Sequence, residues 1–226
     1  MNQNDTSGIL VSRVSQSYGK KKILTDISFS APPGSIIGII GINGGGKSTL
    51  FSILSGIRKP TGGSFYCFGH DMFHEREAFR ELIGYLPQEN PLLEDLSVLD
   101  NLRLWYGRNI HMDMPILTQL QLRELLPLKV KSLSGGMKRR LSIACAVALS
   151  QPVLVLDEPS SSLDLHQKKI ISDYITSFAD NGGIILLSTH DMGEIRLCTH
   201  LFYLEDGTAV PMHAEEAIRR LQAGEG

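Results

Sequence analysis

The sequence has no long apolar stretch, and this limits how the protein can meet a membrane. A transmembrane helix needs about 18 consecutive apolar residues, and no segment of the 226-residue chain approaches that length. The first seven residues, MNQNDTS, are polar and lack the apolar centre of a secretory leader. We therefore expect no membrane-spanning helix, and we expect any action at a membrane to pass through another chain.

Cysteine and net charge are also scarce. The three cysteines, Cys67, Cys145 and Cys198, lie far apart, and no pair has the spacing of a metal site. A reducing compartment is the simple interpretation, with Cys145 as a buried helix residue. The 22 basic and 24 acidic residues give a net charge of −2, which argues against a surface that coats nucleic acid. We expect no nucleic-acid partner.

The apolar pattern predicts an α/β fold. Three short apolar runs, at residues 35–40, 153–156 and 184–187, have the length and composition of buried strands. Helical patterns alternate with these runs, so the strands should form a mostly parallel sheet whose ligands bind at the carboxyl ends of the strands. Alternating or aromatic strand patterns at residues 9–14, 27–29 and 64–68 make the first quarter of the chain mostly sheet. A turn is predicted between the first two strands, at Tyr18-Gly19 and the three lysines that follow.

The middle of the chain has a different character. Helices are predicted at residues 75–82, from a cap at Ser97 through Trp105, at residues 115–126 and at residues 166–180. We expect a single domain over residues 1–226, with a core at about 8–88 and 151–226 and an inserted helical subdomain at about 89–150.

The first run is followed by a phosphate-binding pattern. Residues 41–49, GINGGGKST, have Gly, four residues and then Gly-Lys-Ser, between the apolar run and a helical pattern. Glycines let backbone N–H groups converge on phosphate oxygens, and the helix start adds its positive dipole end. Lys47 would reach the β- and γ-phosphates, and the Ser48 hydroxyl would bind Mg²⁺. The candidate nucleotide-binding residues are Asn43, Gly44, Gly45, Gly46, Lys47, Ser48 and Thr49.

A second candidate follows the apolar run at residues 153–156. Asp157 comes directly after that run, and Glu158 is the next residue. A carboxylate at the end of a buried strand beside a phosphate loop can hold Mg²⁺, and the neighbouring Glu158 can orient or deprotonate the attacking water. Without the phosphate loop, the pair would be interpreted as a capped turn after a core strand.

A third element, Leu133-Ser134-Gly135-Gly136 followed by Met137-Lys138-Arg139-Arg140, resembles the signature motif of the ATP-binding subunits of ABC transporters. The resemblance runs from about residue 9 to residue 211, and it implies a helix that begins at this motif and runs through Leu149. It implies a P-loop NTPase core with a mostly parallel sheet, an N-terminal antiparallel β subdomain and an inserted α-helical subdomain. It also implies that two subunits pair head to tail, with Ser134, Gly135 and Gly136 of each covering the ATP held by the other.

The resemblance places further residues. Tyr18 matches an aromatic residue that stacks on adenine, and Gln88 matches a glutamine that senses Mg²⁺ and the attacking water. His190 matches a histidine that contacts the γ-phosphate, and residues 161–164 match the loop at the dimer seam. The implied catalytic set is Glu158, His190, Gln88 and Lys47, and the implied metal set is Ser48, Gln88 and Asp157. Each of Tyr18, Gln88 and His190, taken alone, would be interpreted as an ordinary surface or strand-end residue.

Three positions depart from the common family pattern. Ile42 replaces a proline and Gly45 replaces an alanine in the phosphate loop, and the added backbone freedom of Gly45 predicts a modest loss of affinity. Met137 replaces a glutamine, and the run that it begins resembles the exporter branch. Another cluster, His70, Asp71, His74 and Glu75, could suggest a metal site, but its turn pattern favours a solvated surface.

These features predict an ATP-hydrolysing subunit of an ABC transporter, with ATP and Mg²⁺ as cofactors. Its partners would be a second ABC ATPase subunit, identical or homologous, and integral membrane subunits that place it at the cytoplasmic face of the cell membrane. Leu92, Leu93 and Trp105 are candidate contacts with a membrane subunit, although packing within the helical subdomain would explain them equally well. The alternatives are a soluble ABC-type ATPase and a nucleotide-dependent switch that does not turn over.

Overall fold

The computed structural model describes residues 7–107 and 110–223. Within those ranges the chain forms ten strands and eight α-helices. The strands are β1 (Ile9–Tyr18), β2 (Lys21–Ala31), β3 (Ile36–Ile40), β4 (Gly62–Cys67), β5 (His70–Asp71), β6 (Ile83–Leu86), β7 (Val153–Asp157), β8 (Ile184–Ser188), β9 (His200–Glu205) and β10 (Thr208–Pro211). The helices are α1 (Lys47–Leu54), α2 (Ala78–Leu82), α3 (Val98–Tyr106), α4 (Pro115–Gln119), α5 (Gly135–Ala146), α6 (Leu165–Asp180), α7 (Met192–Leu197) and α8 (Ala214–Gln222).

Six strands form the larger sheet, in the order β10-β9-β3-β8-β7-β6. Every neighbouring pair is parallel except β9 and β10, which are antiparallel. Strands β3, β7 and β8 are buried along their whole length, because the sheet is covered on both faces. The prediction of a mostly parallel sheet is confirmed.

The register of this sheet brings several strand ends together. Ser188 at the end of β8 pairs with Ile39 of β3 on one side and with Asp157 of β7 on the other. Leu86, the last residue of β6, pairs with Leu156. The loops that follow β3, β8, β7 and β6 therefore leave the same edge of the sheet, where the sequence predicts the ligand.

Strands β2, β1, β4 and β5 form a separate antiparallel sheet, which confirms the predicted N-terminal β subdomain. The turn predicted at residues 18–22 is confined to residues 19–20, because Tyr18 still belongs to β1 and Lys21 already belongs to β2. Leu50, Phe51, Ile53 and Leu54 of α1 are fully buried in a cluster that includes residues of both sheets. Helix α1 is thus fixed between the sheets, and with it the loop that precedes it.

A second hydrophobic cluster covers the other face of the larger sheet. It joins α3, α4, α5 and α6 to β7 and β8. Alternate residues of β7 separate between the two clusters, with Val153 and Val155 in the first and Leu154 and Leu156 in the second. The division into a core and an inserted helical subdomain at about residues 89–150 stays a prediction.

The prediction of one continuous helix over residues 115–126 is wrong for the second half of that range. Helix α4 ends at Gln119, Gln121 adopts a left-handed backbone with φ of 49°, and Arg123–Leu125 forms a 3-10 turn. Leu120 and Leu122 are both fully buried. On a continuous helix these two side chains would point about 200° apart, so the turn lets both of them reach the core.

Two other helices are shorter than predicted. The helix over residues 75–82 begins only at Ala78, because the Glu75 carboxylate accepts a hydrogen bond from the Asp71 N–H and so stabilises a turn. The signature helix α5 was predicted to run through Leu149 but ends at Ala146. Ser150, with φ of 56°, turns the chain towards β7. Cys145 is buried on α5 as predicted, and none of the helices within the described ranges is long and apolar enough to cross a membrane.

The packing of α1 predicts a large cost for losing Phe51. We expect Phe51→Ala to lower the free energy of unfolding by about 3–5 kcal/mol, because it leaves a cavity between the two sheets. Ile57→Ala is the matched control, since Ile57 follows the same helix but is 65% exposed; its effect should stay within about 0.5 kcal/mol. Urea unfolding followed by circular dichroism measures both, and similar values for the two variants would contradict the packing described for α1.

Candidate active site

The phosphate-loop residues link β3 to α1 as predicted. Gly41, Gly44 and Gly46 have φ of 145°, 78° and 105°, a region that glycine adopts readily. A Cβ at Gly41 would lie 2.3 Å from the Leu204 carbonyl oxygen, so this glycine is also required by space. Gly46 is the N-cap of α1 and has no side chain to accept from the first-turn N–H groups. Those N–H groups are therefore available to an anion.

Lys47 is buried in this loop, and its ammonium is held by backbone carbonyls. Its Nζ donates to Gly41 O at 2.6 Å and to Ile42 O at 3.1 Å. Burial lowers the pKa of Lys47, while the negative charges of Glu158 and Asp157 act in the opposite direction. The lysine thus lies within the electrostatic reach of both predicted carboxylates.

Ser188, which no sequence pattern marks as functional, connects Asp157 and Glu158. The Ser188 hydroxyl donates to Asp157 Oδ1 at 2.5 Å and accepts from the Glu158 N–H at 3.0 Å. Glu158 has φ of 49°, an unusual backbone for a residue with a side chain. Ser188 therefore orients one carboxylate and supports the backbone of the other. Its position directly before Thr189-His190 is the one signal in the sequence that could have drawn attention to it.

Gln88 and His190 approach the Glu158 carboxylate from two strand ends. Gln88 Nε2 donates to Glu158 Oε2 at 3.3 Å, and His190 Nε2 lies 3.5 Å from Glu158 Oε1. Burial lowers the pKa of His190, the positive charge of Lys47 lowers it further, and Glu158 raises it. The structure thus brings the predicted residues Gln88, His190 and Glu158 together, with Lys47 close enough to act on His190 and Glu158 through its charge.

The loop that carries His190 is held by buried polar groups. The Thr189 hydroxyl donates to the carboxylate of Glu194, which is 1% exposed, and it accepts from the Asp191 N–H at 2.9 Å. Asp191 caps α7 and pairs with Lys168 at 2.6 Å. A groove beside this loop is lined by Glu158, Ser160, Ser161, Ser162, Lys168, Thr189, His190 and Asp191. The predicted seam loop therefore borders the same site.

Other predicted residues lie apart from this cluster. Tyr18 is 44% exposed, and the Arg58 guanidinium lies 5.1 Å from its ring centroid. Ser134 caps α5 by accepting from the Met137 N–H, with open space around the neighbouring Gly135. Gly136 is packed against the Gln167 side chain of the same chain. Their predicted role, to cover a nucleotide held by a second subunit, stays a prediction.

The histidine and carboxylate cluster near β5 forms ion pairs on the surface. His70 Nδ1 lies 2.8 Å from Glu75, and His74 Nδ1 lies 3.0 Å from Asp71. In the part of the chain that the structure describes, no three His, Cys, Asp or Glu side chains are arranged to hold a metal ion.

Comparison with known proteins decides the family. A family model described as ABC transporter matches residues 24–161, more than half of the chain. The chain belongs to the ABC transporter family. It is an ABC ATPase, an ATP-binding subunit that hydrolyses ATP.

Relatives extend the likeness of this ABC ATPase beyond the matched residues. The Nod factor export ATP-binding protein I of Paraburkholderia xenovorans is 34% identical over 221 residues, which cover 94% of this chain and 72% of the relative. The protein of the same name from Burkholderia pseudomallei is 36% identical over 217 residues, covering 92% and 70%.

Solved structures agree with the fold of the ABC ATPase. An ATP-binding subunit of an ABC transporter superimposes with a TM-score of 0.80 at 28% identity, covering 97% of this chain and 95% of the other. A bacterial ABC transporter cassette, solved as a dimer, superimposes with a TM-score of 0.82 at 24% identity, covering 91% and 98%.

The position of Lys47 in the phosphate loop predicts the effect of its substitution on ATP binding. We expect Lys47→Ala to abolish measurable ATP binding, because the variant loses the cation that the phosphate loop directs towards phosphate. Titration of a fluorescent ATP analogue measures the effect. Lys169→Ala is the control, since Lys169 forms an exposed pair with Asp173 on α6, and its affinity should match the wild type. Unchanged affinity in Lys47→Ala would contradict the phosphate-loop assignment.

Proposed function

We propose that this ABC ATPase hydrolyses ATP with Glu158 as the general base, assisted by Gln88, His190 and Lys47. The observation that carries the proposal is the pair of contacts on the Glu158 carboxylate, one oxygen facing Gln88 and the other facing His190. Three loops from neighbouring strand ends thus converge where a water molecule would need to be oriented for attack on the γ-phosphate.

The chain's own groups divide the work of this reaction. Lys47 and the N–H groups of residues 43–49 bind the phosphates, and Tyr18 stacks on the adenine. Glu158 accepts the proton of the attacking water, and Gln88 orients that water. Burial and the positive charge of Lys47 lower the pKa of His190, and the imidazole contacts the γ-phosphate by hydrogen bonding. Catalysis of this kind consists mostly of positioning and charge neutralisation.

The proposed metal is Mg²⁺, with Ser48, Asp157 and Gln88 as the residues that would hold it. Their hydroxyl, carboxylate and amide oxygens are the hard ligands that Mg²⁺ prefers. The residues present fit this ion, since the Ser188 hydrogen bond fixes the orientation of the Asp157 carboxylate. When bound, Mg²⁺ would neutralise charge on the β- and γ-phosphates.

We also propose that the subunit works as a pair and drives transport, in the export direction, through separate membrane subunits. Ser134 and the unencumbered Gly135 at the start of α5 support a role in covering the nucleotide of a second subunit. Two relatives are named export ATP-binding proteins, and Met137 begins an exporter-like run. Leu93 and Trp105 are about half exposed, as a contact with a membrane subunit at the cytoplasmic face would need.

The role of Glu158 has a direct kinetic test. We expect Glu158→Gln to lower the rate of ATP hydrolysis by about 10²–10⁴-fold while ATP still binds, because the amide cannot accept the proton of the attacking water. Glu81→Gln, an exposed substitution on α2, should keep the wild-type rate. Phosphate release at saturating ATP measures both. Wild-type turnover in Glu158→Gln would refute the assignment of the base.

The transport role predicts a membrane partner. We expect affinity purification from detergent-solubilised membranes of the source cells to recover an integral membrane protein at matching stoichiometry. The proteins that co-purify are identified by mass spectrometry, with membranes from cells that lack the tagged chain as the control for non-specific recovery. Recovery with ribosomal or nucleic-acid-processing proteins, and without a membrane protein, would instead favour a soluble ABC-type ATPase.

A further inference from the structure

Arg139 on the signature helix α5 makes an unusual set of contacts for a buried arginine. The residue is 5% exposed, and each of its guanidinium nitrogens donates to an oxygen of another segment. The acceptors are Pro159 O at 3.1 Å, Pro87 O at 2.6 Å, Gln88 O at 3.1 Å, Asn90 Oδ1 at 3.5 Å, Asp157 O at 2.5 Å and Glu158 O at 3.0 Å. The planar guanidinium has five N–H donors, more than any other side chain, and the six acceptors share them.

These acceptors belong to two catalytic loops. Residues 87–90 follow β6 and carry the Gln88 side chain, while Asp157 ends β7 and Glu158 and Pro159 follow it. Arg139 contacts the backbone of both Gln88 and Glu158, and the side chains of those two residues contact each other at 3.3 Å. The guanidinium therefore bridges the two peptide segments.

The backbone of Glu158 needs such support. A left-handed conformation is disfavoured for a residue with a side chain, and Glu158 has φ of 49°. Ser188 holds its N–H from one side, and Arg139 holds its carbonyl from the other. Burial lowers the pKa of Arg139 to about 10, against the opposing charges of Asp157, Glu194 and Glu158. At neutral pH the guanidinium remains charged.

We propose that Arg139 is a positioning residue that fixes the backbones of Gln88 and Glu158 relative to the signature helix. Because Arg139 lies one turn after Ser134–Gly136, a displacement of the start of α5 changes the geometry of the water-orienting pair in the same subunit. The inference rests on the proposed function, since it assumes that Gln88 and Glu158 act on the attacking water.

The neighbouring Arg140 provides a matched control. It is on the same helix, is 3% exposed, and also donates to backbone carbonyls, at 2.8 Å to Leu120 and 3.2 Å to Gln121. Those acceptors follow α4 and are not part of the catalytic loops. The two arginines therefore share burial and charge but differ in what they hold.

The test compares Arg139→Lys with Arg140→Lys in kcat, KM, ATP affinity and melting temperature. A lysine has three donors on one atom and cannot hold both loops. Since a misplacement of about 1 Å can cost about 10²-fold in rate, we expect Arg139→Lys to lower kcat by about 10–100-fold, with KM and ATP affinity within about threefold of wild type. Arg140→Lys should keep kcat within about threefold of wild type, even if its melting temperature falls by as much as that of Arg139→Lys.

Two results would overturn the inference. One is a wild-type kcat in Arg139→Lys, and the other is an equal loss of kcat in Arg140→Lys, which would assign the effect to burial in general. If Arg139→Lys does not fold, Arg139→Gln, which buries no charge, is judged by the same criterion. Failure of both variants to fold would make Arg139 a requirement of the fold and also overturn the inference.

Glu158→Gln separates this failure from a failure of the proposed function. If Glu158→Gln is fully active, the proposed function is wrong, whatever the Arg139 variants show. If Glu158→Gln is inactive and Arg139→Lys is active, only the positioning role is wrong. In an inactive Glu158→Gln background, adding Arg139→Lys should lower the residual rate by less than about threefold, because the pair that Arg139 positions has already lost its base.

Discussion

The parallel pairing of β3, β8 and β7 is the constraint on which the site depends. Each of these strands is buried on both faces, so a shift in register would expose apolar side chains or leave backbone groups unpaired. The same register places Ser188 opposite Asp157, close enough for its hydroxyl to contact both carboxylate-bearing residues. Hydrophobic burial thus sets the distances among Ser188, Asp157 and Glu158, whose hydrogen bonds alone would not keep them together in water.

The elements that the sequence predicts well are those set by a local pattern. Continuous apolar runs identify β3, β7 and β8, and the segments that follow these runs locate Lys47, Asp157 and His190 at one edge of the sheet. No knowledge of distant contacts is needed for this step, because parallel strands joined by helices have their carboxyl ends on the same side. The family resemblance then adds Gln88, whose short strand and proline carry too little local signal.

What could not be predicted depends on contacts between distant residues. The left-handed turn at Gln121 exists because Leu120 and Leu122 both enter the core, and no residue near Gln121 signals it. Arg139 looks like one of several basic residues at a helix start, yet its acceptors lie 18 to 52 residues away. Ser188 likewise becomes informative only when β7 is known to be its neighbour. Sequence patterns give the elements, while tertiary packing decides which polar groups meet.

The hydrogen bonds of Lys47 have a consequence for how a nucleotide would be bound and released. An ammonium has three N–H donors, and that of Lys47 donates to only two carbonyls, Gly41 O and Ile42 O. One donor can therefore reach a phosphate oxygen while both backbone hydrogen bonds remain. The two carbonyls also give the buried cation acceptors whether or not phosphate is bound, so the lysine need not move out of the loop between one nucleotide and the next.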